Sequence, residues 1–469
     1  MGEGGNITLV NATPYNWTLG ATHSYQMAHW SFPAKILAGT SVSVYVEYKQ
    51  GAGVNQKDDG GEAMYSLDGV NHTFQVQARS TSNSSADFHL KIWLATIATQ
   101  NFGPGVTIDL GWAHNSWTTF VLSGDETNFS STQLDASNWM QRNLGRWGDR
   151  QLRHFCIPGT HDAGMSVLDH NTFYSSKPNT VTQVKSIGGQ LSLGSRYFDI
   201  RPCKGSGTYY TGHYSYMDVS LGALPLYKGW QGGRGQSIQD VIKDVNSFTD
   251  AHAELVILNL SHAYDTDTGN ANYPDLTQAQ WEDLLKELTG QVAGVEGLRH
   301  LYIAPASAQD DLTQLKLNDF VGGGKAAVVV VVPNPNSTTN VPKLSATYAN
   351  QGFYTYSQVN AFNDSAGTNN ADVMIKDQLT KMAENRPNSD ASYFLLSWTV
   401  GLSAWQIGSG FIAPSPSILD IAGGANTQLP IQLMPACSKA TYPNILYIDR
   451  MEDTNPCAVA VAINYRFGA

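Results

Sequence analysis

Apolar and polar residues alternate along the first part of the chain, then give way to continuous apolar runs separated by helical stripes. Ser41-Val42-Ser43-Val44-Tyr45-Val46-Glu47-Tyr48 alternates, as do Phe74/Val76 and Phe88/Leu90/Ile92/Leu94, the two-residue period of half-buried strands. The turn-forming clusters Gly51-Ala52-Gly53 and Asp58-Asp59-Gly60-Gly61 separate the runs. With no amphipathic helical stripe in this part of the chain, the pattern predicts an all-β, sandwich-like domain over residues 1–124. Its tryptophans (Trp17, Trp30, Trp93, Trp112, Trp117) admit two readings: core and edge positions, or a face that binds lipid or glycan.

A Ser/Thr/Asn/Asp-rich stretch at 125–137 reads as a linker, and beyond it the pattern changes. Ile238, Val241, Ile242, Val245 and Phe248 form a helical stripe, followed by the buried-strand run Glu254–Ser261. Thr277 and Gln280 form a capping-box pattern ahead of Trp281, Leu284, Leu285 and Leu288. Helical patterns over Leu312–Phe320 and Ala371–Glu384 alternate with the runs Ala326–Val332, Tyr393–Trp398 and Asn444–Asp449, and Ala458–Tyr465 closes the chain as a helix. Continuous apolar strands alternating with helices predict a parallel sheet covered on both faces. The expected fold class is therefore α/β, a distorted (β/α)8 TIM-type barrel over 138–469 behind the β domain. Gly322-Gly323-Gly324-Lys325 precedes a strand instead of following one, which excludes a P-loop.

The chemistry concentrates at strand ends. Cys156-Ile157-Pro158-Gly159-Thr160-His161-Asp162-Ala163-Gly164 delivers a His-Asp pair where an apolar run stops, Tyr197-Phe198-Asp199-Ile200-Arg201-Pro202 follows, and then Gly212-His213. Cleaving a phosphodiester without a metal requires a base for the nucleophile, an acid for the leaving oxygen and positive charge on the phosphate. His161 and His213 suit base and acid because histidine titrates near neutrality. Arg201 suits the phosphate, since its planar fork matches two oxygens. Tyr197, Asp199 and Arg201 share strand parity and are expected to face one lumen. Asp162 is placed to orient Arg201. Asp449, at the end of a late strand that neighbours the first in a closed barrel, is placed to hold His161 in one tautomer.

Charge and cysteine content narrow the partners. The formal net charge is −11, from 39 acidic and 28 basic residues, with no Lys/Arg-rich run; this argues against nucleic acid. The longest apolar run, Ala326–Val332, is too short to cross a membrane. The start, Met1-Gly2-Glu3-Gly4-Gly5, lacks the charged and apolar regions of a signal peptide. Sequons such as Asn6, Asn11, Asn16 and Asn336 and four cysteines leave a secreted or extracellular setting open. Cys437 with Cys457 and Cys156 with Cys203 are either disulfide pairs or buried free thiols.

These motifs together resemble the X domain of phosphatidylinositol-specific phospholipase C, in its bacterial form and its fungal phosphodiesterase relatives, over roughly residues 138–450. The resemblance implies a distorted TIM barrel and cleavage of a lipid phosphodiester by the substrate's own hydroxyl. It implies His161 as general base, His213 as general acid, Arg201 on the phosphate, Asp162 beside the first histidine and Asp449 as the partner of the base. The eukaryotic branch binds Ca²⁺ with an Asn after the first His and a Glu-x-Asp on the second strand. Asp162 and Arg201 stand there instead, implying catalysis with no metal or cofactor, on a phospholipid or soluble phosphodiester with transient contact to a membrane surface. The headgroup pocket departs from the bacterial pattern: Ser261-His262 follow the third strand, and Asp199 and the Gly-rich segment holding Lys228, Trp230 and Arg234 are candidates for substrate contact, the latter three equally readable as a solvated loop. The competing reading is a catalytically silent protein that binds a phosphorylated ligand, with recognition through the β domain.

Overall fold

A computed structural model describes residues 2–82, 87–221, 224–402 and 416–468, without the side chains of 219–226. The chain divides into two compact units.

The first unit contains the chain up to Ala136 together with Thr427–Tyr442 and Thr454–Gly468. One of its sheets has five strands in the order Asn128–Ser131, Trp117–Asp125, Glu3–Ala12, Thr40–Tyr48, Met27–Trp30. The other has six, in the order Lys35–Ile36, Trp17–Tyr25, Gly60–Leu67, Thr73–Ser80, Phe88–Trp93, Thr107–Gly111. Both contribute to a single core that includes Leu9, Val46, Phe120, Phe74, Val76 and Ile92, so the alternation in the sequence does mark strands with one buried face. Trp17 is fully buried, Trp30 and Trp112 pack against that core, and Trp93 and Trp117 are half-buried. The tryptophans thus build the domain and do not form an exposed aromatic face. The C-terminal helix Pro456–Arg466 belongs to this unit, although the sequence pattern assigned everything after 138 to the barrel. Its Ala/Val run is apolar on all sides and buried throughout, and the Tyr465 hydroxyl accepts from Gln100 Nε2 and Asn128 Nδ2.

The second unit is built on an eight-stranded sheet. Its strands, in chain order, are Ile157–Thr160, Tyr197–Ile200, Leu255–Leu260, Ala327–Val332, Phe353–Thr355, Ala361–Phe362, Tyr393–Trp398 and Ile445–Ile448. Every pairing is parallel, sequential strands are neighbours except the fifth and sixth, and the last strand pairs with the first. That is the strand order of a barrel, but the sheet is curled and not closed: among the described residues no ladder joins Phe353–Thr355 to Ala361–Phe362. These two strands are the shortest, and the 3-10 turn Tyr356–Gln358 with Val359 and Asn360 separates them. The helices start where the caps predict. Ser237 accepts from Asp240 N ahead of Ile238–Ala251, and Thr277 and Gln280 form the reciprocal box ahead of Gln278–Leu288.

A second, mostly antiparallel sheet is built largely from the chain after the second strand. Its core is a long hairpin, Thr208–Leu221 with Leu224–Ser237, which carries His213 and the Gly-rich segment. This segment is strand, not solvated loop. Glycines weaken strand propensity and concealed it, yet they are what the packing requires: a Cβ on Gly232 would lie 1.9 Å from the His213 carbonyl oxygen, and one on Gly233 2.2 Å from Leu168 Cδ1. All four cysteines are buried and none is joined in a disulfide, which is the buried-thiol alternative of the two.

Candidate active site

Strand register places the first histidine. Thr160 lies opposite Ile448 and Phe198, so the next residue of each strand falls at the same end of the sheet. His161 N donates to Ile448 O at 3.0 Å, and its Nδ1 lies 2.7 Å from Asp449 Oδ1. Asp162 then adopts φ 43°, a left-handed conformation that Asp tolerates better than most residues. Its backbone N–H donates to Asp199 Oδ2 at 3.2 Å, and Ala163 N donates to Asp199 O at 2.8 Å. The close turn also needs Gly164, where a Cβ would fall 2.2 Å from Thr211 Oγ1.

Arg201 ties the cluster together. Its Nε donates to Asp199 Oδ2 at 2.9 Å, one terminal nitrogen faces Asp162 Oδ2 at 3.4 Å, and the other donates to His161 Nε2 at 2.8 Å. Guanidinium has no acceptor, so His161 Nε2 is bare and the ring's proton sits on Nδ1, toward Asp449. His213 arrives from the hairpin. Its Nδ1 donates to Thr180 O at 2.9 Å and lies 3.6 Å from Asp162 Oδ2, and its ring centre is 6.5 Å from that of His161.

Burial and charge set the protonation states. Burial works against a charged His161, but Asp449 outweighs it and the pKa lies above the usual value. His213 has no ion pair of that quality: burial, then the Arg201 charge, push it down to about 4. Asp162 is wholly buried and Oδ1 has no hydrogen-bond partner among the described residues; burial raises it to about 7 despite Arg201. Asp199 is buried too, but Arg201, His161 and hydrogen bonds from Ser261 and Tyr447 hold it well below the usual carboxylate range. Both hydroxyls donate at 2.5 Å, one to each carboxylate oxygen.

His161, Asp199, Arg201, His213, Tyr447 and Asp449 open onto one cavity of about 730 Å³. Two histidines and a guanidinium thus surround one concave space, groups that are able to move protons and to meet an anion.

No protein-family model matches the chain. A PI-PLC X-box domain-containing protein of Dictyostelium discoideum is 27% identical over 172 residues, 33% of this chain and 21% of that protein. A second Dictyostelium discoideum protein, named as PI-PLC X domain-containing, is 34% identical over 92 residues, 16% of each chain. Over these stretches the chain is similar to PI-PLC X-domain proteins. The chain spans about a fifth and about a sixth of the length of these two curated relatives. Among solved structures, a phosphatidylinositol-specific phospholipase C of S. aureus aligns over 70% of this chain and 97% of its own, at 15% identity and a TM-score of 0.46.

His161, Asp162, Asp199, Arg201, His213 and Asp449 come together at one end of the sheet, the end at which the strand-end motifs placed them. Asp162 has a wider role than orienting Arg201: Asp199 holds the guanidinium more closely, while Asp162 lies between Arg201 and His213. Ser261 and His262 line the cavity beside Asp199. Lys228, Trp230 and Arg234 do not line it. Lys228 is exposed and paired with Asp218 at 3.3 Å, and Trp230 packs on Tyr216, Tyr264 and Tyr273. Arg234 is buried over the Tyr210 ring, donating to Ser206 Oγ. All three belong to the hairpin and lie outside the lining of this cavity. Tyr447 occupies the inward parity two residues before Asp449, but a tyrosine inside an apolar strand run carries no motif that marks it. Thr180 gave no signal, because its backbone carbonyl alone is used.

Proposed function

We propose that the chain is a phosphodiesterase that cleaves a phosphoinositide or a related phosphodiester by metal-independent acid–base catalysis. The observation that supports this most is the Arg201 guanidinium, gripped by two carboxylates and presented to the cavity between two histidines whose Nδ1 atoms are both committed to other partners. Each histidine therefore has only Nε2 for chemistry. His161 Nε2 takes the proton of the attacking hydroxyl as its oxygen bonds to phosphorus; Asp449 stabilises the imidazolium so formed. Arg201 exchanges its contact with His161 for the non-bridging oxygens, whose charge it neutralises. The bond to the leaving oxygen breaks as His213, protonated in the complex, delivers a proton from Nε2.

If the attacking hydroxyl belongs to the headgroup, the phosphorus product is a cyclic diester, favoured because the nucleophile is already positioned. If it is water, the product is a monoester. The carboxylates that a calcium ion would need are engaged by Arg201 in this reading, and the eight parallel strands are an incompletely closed TIM-type barrel with the site at its C-terminal end.

The test is ³¹P NMR of the full chain with phosphatidylinositol and with glycerophospho-headgroup diesters, in EDTA. A cyclic or monoester phosphate signal, lost in His161→Ala and His213→Ala, is the expected result. Abolition by EDTA would remove the metal-free mechanism. Binding without turnover of any diester would assign the ligand-holding role instead.

A further inference from the structure

Pairing of the first and last parallel strands ends at Thr160 opposite Ile448, and its last backbone bond runs from His161 N–H to Ile448 O at 3.0 Å. Among the described residues no further backbone rung joins the two chains beyond that point, yet His161 and Asp449 meet there. The side chain of Gln183 supplies the rung. Its Nε2 donates to His161 O at 2.9 Å and to Ile448 O at 3.1 Å, and its Oε1 accepts from Met451 N at 3.1 Å. Both amide hydrogens are thus used on the two chains that carry the histidine and its carboxylate. The peptide unit after His161 is held at its other end as well, because Asp162 N–H donates to Asp199 Oδ2.

The residues before Gln183 widen the strap. Thr182 Oγ1 donates to Asp162 O at 2.9 Å, Thr182 O accepts from Arg450 N at 2.9 Å, and Thr180 O accepts from His213 Nδ1 at 2.9 Å. One short segment therefore grips the backbone after the first strand, the backbone after the last, and the second histidine. Gln183 is fully buried and does not line the cavity. A buried amide costs stability unless its polar atoms are paired, and an apolar side chain could fill the same volume. Packing alone gives no reason for a glutamine here; what its amide holds does.

We propose that Gln183 is a positioning residue for the acid–base pair: its amide stands in for the missing rung and sets the spacing of His161 and Asp449, while its segment anchors His213 to the same frame. The inference rests on the phosphodiesterase reading and deepens it.

Gln183→Met keeps length and approximate volume and removes both donors. In ¹H NMR of the parent, the His161 Nδ1 proton, bonded to Asp449 at 2.7 Å, is expected downfield; in Gln183→Met it should move upfield and exchange faster with solvent. An unmoved resonance overturns the proposal. In kinetics with phosphatidylinositol, kcat is expected to fall about 10- to 100-fold with KM nearly unchanged, since Gln183 touches no substrate. The acid limb of kcat/KM should move to lower pH, because Asp449, helped by Asp162, raises the His161 pKa against burial and Arg201. An unchanged kcat overturns the proposal. In an Asp449→Asn background the same substitution should cost only about threefold or less, since the charge it positions is already gone; an equal cost in both backgrounds would make Gln183 a general structural residue and also overturn it. Gln183→Asn, whose amide is one methylene short, carries the same measurements if Gln183→Met does not fold. A parent that turns over no diester would instead refute the phosphodiesterase reading, and the Nδ1 proton would still decide the role of Gln183.

Discussion

Asp449 accepts a hydrogen bond from His161 Nδ1 at 2.7 Å across 288 residues of sequence. The contact is a product of register: parallel pairing of the first and last strands sets Thr160 opposite Ile448, and the residue after each faces the other. Asp449 is almost wholly buried and His161 is 18% exposed, so little water screens the pair. The carboxylate fixes the tautomer, and it favours the imidazolium that forms when His161 takes a proton.

Asp449→Asn keeps the shape and removes the charge. Without it, burial and Arg201 both oppose protonation of His161, so the imidazole pKa falls. A general base works in its deprotonated form, so the acid limb of the kcat/KM profile should move to lower pH while the plateau drops by about 10²–10⁴-fold. A pH–rate series on the parent and the variant checks both. An unmoved acid limb would show that His161 is not the group titrating there.

His213 presents an apparent conflict, because a residue pushed down to about 4 is a poor acid near neutrality. The second cause of that shift, the Arg201 charge, is the one that bound substrate cancels. An anionic phosphate against Arg201 removes the repulsion and adds an attraction to imidazolium. Titration of the His213 ring by NMR with a non-hydrolysable phosphonate analogue bound should show its pKa rising toward the ordinary histidine value of about 6.5. A pKa that stays near 4 with the anion bound would exclude His213 as the acid.

The strand ends were legible because chemistry and periodicity coincide there. Apolar runs located the Ile157, Tyr197 and Ile445 strands, and parallel-barrel order made the pairing of His161 with Asp449 inexpensive to infer. What stayed hidden depends on contacts that leave no mark on local pattern. The hairpin bearing His213 reads as loop because Gly229, Gly232, Gly233 and Gly235 dilute its alternation. The helix Pro456–Arg466 is apolar on all sides, and nothing in such a pattern says which unit it serves. The open edge of the sheet depends on two strands of three and two residues, below the length at which periodicity means anything. The arrangement of Ser261, His262 and Tyr447 around Asp199 needed three strand ends at once.

Asp162 should cost the protein stability. Its carboxyl titrates at about 7 in the fold against an ordinary value of 3.8. Between about 4 and 7 the folded state therefore binds more protons than the unfolded chain, so stability falls as pH rises through that window, and the cost is complete above it. Asp162→Asn removes this dependence. Its Tm should differ less between pH 5 and pH 8 than that of the parent and exceed the parent's at pH 8. Activity should fall by about 10²-fold, because Asp162 lies beside both Arg201 and His213. Differential scanning calorimetry across pH, together with turnover, tests the pairing of these effects. A variant less stable than the parent at pH 8 would show that Asp162 is a net structural asset.

Gly232→Ala probes whether the hairpin's glycines serve the site or merely allow the turn of chain around it. The added Cβ would meet the His213 carbonyl oxygen at 1.9 Å and the Tyr214 ring at 2.5 Å. A backbone oxygen cannot step aside like a flexible side chain, so the strand bearing His213 must move. A displacement of about 1 Å at an acid that needs hydrogen-bond reach costs roughly 10²-fold in rate. Strain of this kind typically destabilises by about 1–3 kcal/mol. The control is Lys228→Ala on the same strand, where the side chain is exposed and only pairs with Asp218; it should leave kcat and Tm nearly unchanged. Turnover and thermal denaturation of both variants give the answer. Full activity in Gly232→Ala would show that the close approach of the two strands is not what positions His213.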